Sequence, residues 1–404
     1  MVLVALLVFA LLVSIIGVHI FFLQTNSKPD VFVGVDVGYG NANSVYAIAN
    51  AVSGYANLII LGSLEVTTNT TALTNVCNFL YQKGFYFIVY VGFAKVGVFP
   101  PQGPDSSFFQ MAYNRWGEKF LGAYMFDEPG GKQLDVSKNN TVKPVINASN
   151  YGDAAMHFLL DLQPYLSLYK EVYYAVQMNL FTSDYALYWY DFLSGYDIVF
   201  TEQIVGSPVN QLSISLDRGA AVSQGKGWGT IITFGPSPSE ASAIAHAMNL
   251  SVYTNVTQFY NSMLLSWQND AKYIIVFDSP GANHTAITPY GVLTTDDLNA
   301  MKNFWSFAQN HEQPKLDPVQ TAYVLPKDYG YGFRGPNDAI WGLFAADALS
   351  QQIWTDSNNL LATYGTRLDI VYETRTDDIP ANLQYSAQIF WNGTTTHDKT
   401  PADR

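Results

Sequence analysis

Leu121-Gly-Ala-Tyr-Met-Phe-Asp-Glu-Pro-Gly-Gly131 reads as a buried strand that stops at two adjacent carboxylates, Asp127 and Glu128, before a Pro-Gly-Gly turn that cannot continue it. The placement of those acids matters more than their presence. In a parallel barrel the C-terminal ends of the strands carry the reactive groups, because the strands hold them rigidly while the following loops vary. Taken alone, the pair has a plainer reading in which Asp127 caps the turn and Glu128 is solvated.

Working outward, the chain alternates. Upstream, strands at Val31 to Val37, Asn57 to Gly62 and Phe85 to Gly92 are followed by helices at Ala42 to Ala56, Thr70 to Gln82 and Phe108 to Lys119. Downstream, Asp153 to Tyr169 completes the fourth unit, and Val172 to Asn179 with Asp184 to Leu193 makes the fifth. Asp197 to Gln203 with Pro208 to Gln224, Trp228 to Phe234 with Gln258 to Asp270, and Lys272 to Asp278 with Thr294 to Asn310 follow. Apolar strands separated by helices imply a parallel sheet covered on both faces. Eight such units within residues 30–312 predict a (β/α)8 TIM barrel. An open doubly wound sheet is the alternative, but no Gly-x-Gly-x-x-Gly follows the first strand.

The predicted strand ends gather polar groups at one mouth: Asp36 and Tyr39, Asp127 and Glu128, Gln177 and Asn179, Glu202, and Asp278. Acids that meet in a partly buried mouth raise one another's pKa, which a general acid requires. Paired carboxyls of this kind suit glycoside cleavage, one protonating the leaving oxygen and the other attacking the sugar or activating water. Glu128 is the expected acid/base, with Glu202 or Asp127 as its partner. Asp36, Tyr39, Gln177, Asn179, Trp228 and Asp278 are the expected substrate-binding residues, Tyr39, Tyr124, Trp228 and Phe234 offering faces for sugar stacking. A chain with 15% aromatic residues also places such rings in its core without any such purpose.

The stretches Tyr124 to Gly131, Asp217-Arg-Gly-Ala-Ala221 ahead of Gly227-Trp-Gly-Thr-Ile-Ile-Thr233, and Ala271 to Asp278 resemble the TIM-barrel glycoside hydrolase superfamily over residues 30–312. The resemblance implies a carbohydrate substrate or ligand, and an acid/base after strand four. Families of this kind often carry a nucleophile after strand seven, where this chain has Thr233-Phe234-Gly235. The departure leaves Glu202 as the second carboxylate, and leaves open a barrel that binds carbohydrate at a cell surface without cutting it.

Composition removes other classes. A net charge of -13 with no basic run excludes nucleic acid as a partner. The single cysteine, Cys77, excludes a disulfide framework and any cysteine-built metal site. The six histidines show no metal-ligand spacing, and neither a Gly-x-Ser-x-Gly elbow nor a Walker loop is present. No metal or cofactor is expected, and nothing in the sequence sets an oligomeric state.

Both ends of the chain carry separate signals. Val2 to Leu23 is uncharged and apolar, long enough at about 1.5 Å per residue to cross roughly 30 Å of hydrocarbon. A single-pass transmembrane anchor at residues 1–24 is expected, since a signal-peptide core is usually about 7–15 residues and ends at a small-x-small site. Seven Asn-x-Ser/Thr sequons, at Asn69, Asn139, Asn147, Asn249, Asn255, Asn283 and Asn392, place the following domain outside the cell. After a Pro-containing linker at His311 to Pro318, residues 319–391 read as a small α/β appendage. Its loop Asp328-Tyr-Gly-Tyr-Gly-Phe-Arg-Gly-Pro-Asn-Asp338 either overhangs the barrel mouth or merely turns the chain, with Arg334 paired to Asp338. The polar tail 392–404 is expected to be disordered.

Overall fold

The structure is a computed structural model that describes residues 29–92, 103–104, 106–135, 143–172, 178–234, 256–278, 293–316, 321–374 and 385–397. Eight parallel strands close a barrel: β1 (Phe32–Val37), β2 (Leu58–Leu61), β3 (Tyr86–Val91), β4 (Phe120–Met125), β5 (Asn179–Asp184), β6 (Ile198–Ile204), β7 (Gly227–Thr233) and β8 (Tyr273–Asp278). Closure comes from β1 pairing with β8 from Phe32 opposite Tyr273 to Val37 opposite Asp278. The outer helices are α1 (Ala42–Val52), α2 (Thr70–Gln82), α3 (Ser106–Trp116), α4 (Pro129–Leu134), α5 (Tyr151–Val172), α6 (Tyr188–Ser194), α7 (Asn210–Ser223), α8 (Val256–Gln268) and α9 (Thr295–Asn310). Local chemistry marks their starts. Asn69 accepts from the Ala72 amide ahead of α2, and Thr294 with Asp297 forms a reciprocal capping box on α9.

Two apolar cores follow from the alternation of side chains along each strand. Phe32, Ile60, Phe181, Phe200, Ile231 and Ile275 belong to the one inside the barrel. Val33, Ile59, Leu180, Val199, Ile232 and Ile274 join the helices in the one outside. This two-sided burial is why the strands read as continuous apolar runs rather than as an alternating pattern.

One strand lies elsewhere than expected. Residues 173–177, within the expected fifth strand, fall outside the described residues, but α5 runs 22 residues to Val172 and β5 begins only at Asn179. The β-branched and aromatic run at 172–176 has the composition of a strand. The true strand is Asn179-Leu-Phe-Thr-Ser-Asp184, whose Leu180 packs outward and Phe181 inward.

Residues 321–397 form the appendage: β9 (Thr321–Leu325), α10 (Ala348–Tyr364), β10 (Leu368–Tyr372), β11 (Ala387–Phe390) and β12 (Thr395–His397) in a sheet ordered β10-β9-β11-β12. The expectation of a disordered tail fails for 392–397. Residues after Asn392 turn back, and Thr395 to His397 pair antiparallel with Ile389 to Ala387, which covers the sheet edge that β11 would otherwise leave open. The appendage docks on the outside of the barrel through Arg218 of α7. Its guanidinium donates to Asp369 Oδ1 at 2.6 Å and to the Leu368 carbonyl at 2.8 Å.

The glycine-rich loop 328–338 takes the plainer of its two readings. Tyr329, Tyr331 and Phe333 are buried, and Arg334 pairs with Asp338 and Asp135. The loop therefore packs against α4 from outside and does not line the barrel mouth. The expected anchor at 1–24 lies outside the described residues. Among the described residues no helix is long and apolar enough to cross a membrane.

Candidate active site

The barrel mouth opens as a cavity of about 490 Å³ whose lining includes Asp36, Tyr39, Asp127, Glu128, Ser183 and Glu202. Glu202 is the fifth residue of β6 and, two residues on from Phe200, shares its inward face. Glu128 is mounted differently. It is the N-cap of α4 with φ 52°, and Phe126 before it has φ 53°, so two side-chain-bearing residues in the left-handed region flank Asp127. Such backbone strain, about 1–3 kcal/mol each, persists only where surrounding contacts enforce it.

Asp184, at the end of β5, supplies that enforcement. Its fully buried carboxylate accepts from the amides of Gly130 at 2.5 Å, Gly131 at 2.8 Å, Tyr185 at 2.7 Å and Ala186 at 3.1 Å. The two glycines allow this approach, since a Cβ on Gly130 would stand 2.6 Å from the Ala186 carbonyl and one on Gly131 2.1 Å from the Tyr185 ring. The Glu128 amide donates to the Ser183 carbonyl at 3.0 Å. Glu128 thus hangs from β5 as much as from β4.

Glu128 and Glu202 both line the mouth, and each acts on the titration of the other. Burial, then the Glu128 charge, then the Asp127 charge push Glu202 well above the usual carboxylate range, against a hydrogen bond with Ser183. Burial and Asp127 also raise Glu128, but Lys132 opposes them from 3.3 Å. Both carboxyls are thus raised, and of the two it is Glu128 that has a cation beside it to favour its charged form. Lys132 also binds Asp127, at 2.9 Å to Oδ2 and 2.7 Å to its carbonyl. Burial, followed by the charges of Asp127 and Asp278, raises Asp36.

The structure brings Asp36, Tyr39, Asp127, Glu128 and Glu202 together, and Tyr39 is 51% exposed at the rim with its ring edge-on to Phe277. Three expected residues are elsewhere. Asn179 begins β5 at the far end of the barrel, opposite Gly122, because the strand lies further along the chain than its composition implied. Trp228 is the second residue of β7, also at the far end, and packs in the outer core among the helices. Asp278 follows the cavity-lining Phe277, so strand alternation turns its side chain outward, where it is fully buried. Gln177 lies outside the described residues. Tyr124 does reach the mouth, but its ring is buried in the lumen and only its hydroxyl acts there.

Sequence reasoning missed Ser183, Asp184 and Lys132. The first two were readable as the end of β5 had that strand been placed correctly. Lys132 needed recognition that Pro129 starts a helix, which sets Lys132 four residues, or one turn, beyond Glu128.

The same architecture occurs in solved structures. A polyextremophilic β-galactosidase from the Antarctic haloarchaeon Halorubrum lacusprofundi superimposes with a TM-score of 0.53 at 8% identity, covering 89% of this chain and 69% of that one. A β-galactosidase from Bacillus circulans sp. alkalophilus gives a TM-score of 0.52 at 10% identity, covering 90% of this chain and 67% of that one. This is a (β/α)8 TIM-barrel fold. The coverage exceeds what the barrel alone contributes, so the likeness reaches into the C-terminal unit. No family model matches the sequence, and no curated protein matches it.

Proposed function

We propose that this chain is a membrane-anchored, extracellular glycoside hydrolase that cleaves polysaccharide or surface glycans with retention of configuration. The observation that carries the reading is the facing pair Glu128 and Glu202 in the barrel mouth. Two carboxyls that act on each other this directly suit a retaining enzyme, in which they stand about 5–5.5 Å apart, better than an inverting one, in which about 6.5–9.5 Å leaves room for an attacking water. The shared fold with two β-galactosidases supports a carbohydrate substrate.

In this reading the roles are the reverse of those expected from the sequence, because the cation stands beside Glu128. Protonated Glu202 donates its proton to the glycosidic oxygen as the bond to the anomeric carbon breaks, and ionised Glu128 attacks that carbon to form a glycosyl ester. Glu202, now a carboxylate, takes a proton from water, whose oxygen displaces Glu128 and restores both groups. Tyr39 offers a ring face at the entrance. The apolar run 2–23 and the sequons support the membrane and extracellular parts of the reading, and Asn69, Asn147 and Asn392 are all exposed.

The test is hydrolysis of a panel of neutral glycans and aryl glycosides, with the anomer of the first product read by NMR. Cleavage with retention is expected. Glycan binding without cleavage assigns the barrel to binding instead, and an inverted first product removes Glu128 as nucleophile.

A further inference from the structure

Beneath the carboxyl pair runs a chain of close contacts. Ser183 Oγ stands 2.7 Å from Glu202 Oε1, Tyr124 Oη 2.7 Å from Ser183 Oγ, and Asp127 Oδ1 3.1 Å from Tyr124 Oη. The Ser183 amide also donates to Tyr124 Oη at 3.1 Å, which fixes the phenol over β5. Each hydroxyl has one proton to give. With both end groups ionised, two protons must serve three contacts, and one contact is repulsive. With the proton on Glu202, three protons serve three contacts: Glu202 donates to Ser183, Ser183 to Tyr124, and Tyr124 to Asp127. Lys132, at 2.9 Å on the other oxygen of Asp127, secures the accepting end.

We infer that Tyr124 and Ser183 are positioning residues that couple Asp127 to Glu202, holding the proton of the carboxyl pair on Glu202 until it is transferred. This rests on the hydrolase reading above and deepens it. When Glu202 protonates the leaving oxygen, both hydroxyls reverse. Ser183 then donates to the new carboxylate and Tyr124 to Ser183, while Asp127 keeps Lys132. The proton lost to the leaving oxygen is the one Glu202 carried and both hydroxyls keep theirs, so the same two hydroxyls serve Glu202 in both of its states, at the expense of the Tyr124 to Asp127 contact in the ionised one. Other charged or titratable groups acting on Glu202 or Tyr124 are Glu128, Asp184 and Asp36. None of them is a link in the chain.

The experiment is ¹³C-carboxyl NMR titration of Glu202 in four proteins: wild type, Tyr124→Phe, Ser183→Ala and the double variant. Both substitutions are nearly isosteric, and the carboxyl signals themselves report whether the barrel is folded. Tyr124→Phe removes the contact that only neutral Glu202 enjoys, so the Glu202 midpoint falls by about one pH unit when Ser183 is intact. It should not move in the Ser183→Ala background, where the chain is already cut. The alkaline limb of kcat moves down with it in Tyr124→Phe, with KM within about twofold. An equal shift in both backgrounds, or none in either, overturns the inference. Because the titration needs no turnover, a wild type that cleaves nothing but shows the background-dependent shift removes the hydrolase reading and leaves the coupling standing.

Discussion

Lys132 Nζ lies 3.3 Å from Glu128 Oε2, one helical turn along α4, whereas among the described residues Glu202 forms no ion pair. In the proposed mechanism that asymmetry divides the labour of the pair, and the division is open to measurement. Loss of a general acid hurts least where the leaving group is already good, because little proton transfer is then needed to expel it. Glu202→Gln should lower turnover on unactivated glycans by about 10²-fold or more, and much less on aryl glycosides with acidic phenols. Glu128→Gln should abolish both. Steady-state kinetics on the two substrate classes decides this, and the opposite pattern assigns the proton to Glu128.

Asp184 should matter to turnover although it touches no substrate. An asparagine there presents an NH₂ to some of the four amides that now converge on a carboxylate, so the Pro129-Gly130-Gly131 segment shifts and Glu128 with it. A displacement of about 1 Å at a reacting group costs on the order of 10²-fold. The expected result for Asp184→Asn is a fall in kcat of about 10- to 100-fold with KM little changed. Equal loss in both parameters would point to a collapsed mouth instead.

The barrel was legible because its strands are buried on both faces, and a run such as Tyr273-Ile-Ile-Val-Phe-Asp278 has few other uses in a chain that alternates with helices. Asp36, Asp127, Glu128 and Glu202 were legible for the same reason, each being an acid that interrupts or ends such a run. Local composition failed at strand five, where the apolar stretch 172–176 competes with Leu180-Phe181 and only tertiary pairing with β4 and β6 chooses between them. Asn179 was misplaced with it and Ser183 missed. Trp228 was misjudged for another reason. A tryptophan near the start of a strand looks the same in sequence whether it meets a ligand or a helix. The proposed division of roles between Glu128 and Glu202 rests on Lys132 and on a hydrogen-bond chain, which exist only once the fold has formed.

Residues 1–26 should be separable from the barrel. The first described residues, from 29 onward, lead directly into β1, and Lys272 ties the Pro29 and Asp30 carbonyls at 2.6 Å and 2.7 Å. A chain starting at Ser27 is expected to be soluble and folded, while the full chain stays with membranes through an alkaline carbonate wash. Full-length protein in the wash supernatant would refute the anchor.

Arg218 and Asp369 form a buried ion pair at 2.6 Å with both side chains 2% exposed, and Arg218 also donates to Asn269 Oδ1 at 2.6 Å. Removing one partner strands a charge in the seam between α7 and β10. Arg218→Met should destabilise the protein by about 3–5 kcal/mol, seen as a lower urea midpoint. Arg218→Met with Asp369→Leu should recover most of that loss, because a well-packed apolar pair replaces both charges. A double variant as unstable as the single one would mean that the seam depends on the other hydrogen bonds of this pair.

The stability of the fold should fall as pH rises through neutrality. Burial raises Asp184 to about 7 in spite of its four amide hydrogen bonds, and it raises Asp191 and Asp217 well above the usual range, with Asp184 adding to both. In the unfolded chain these groups titrate near about 3.9. Between about pH 4 and pH 7 the native state therefore binds more protons than the unfolded state, and stability declines as pH rises across that window. The contribution of Asp184 is present in full below about pH 4 and is lost by about pH 7, an effect of order 2–4 kcal/mol. Asp197 acts in the opposite sense. Burial pushes it up, but hydrogen bonds from Lys170 and Lys226 outweigh this and hold it low, so its contribution is lost only as pH falls below about 4. Urea denaturation at pH 5 and pH 8 should give the higher midpoint at pH 5, and Asp184→Asn should narrow the gap. A midpoint that rises from pH 5 to pH 8 would show that the buried aspartates are ionised and paired in the native state.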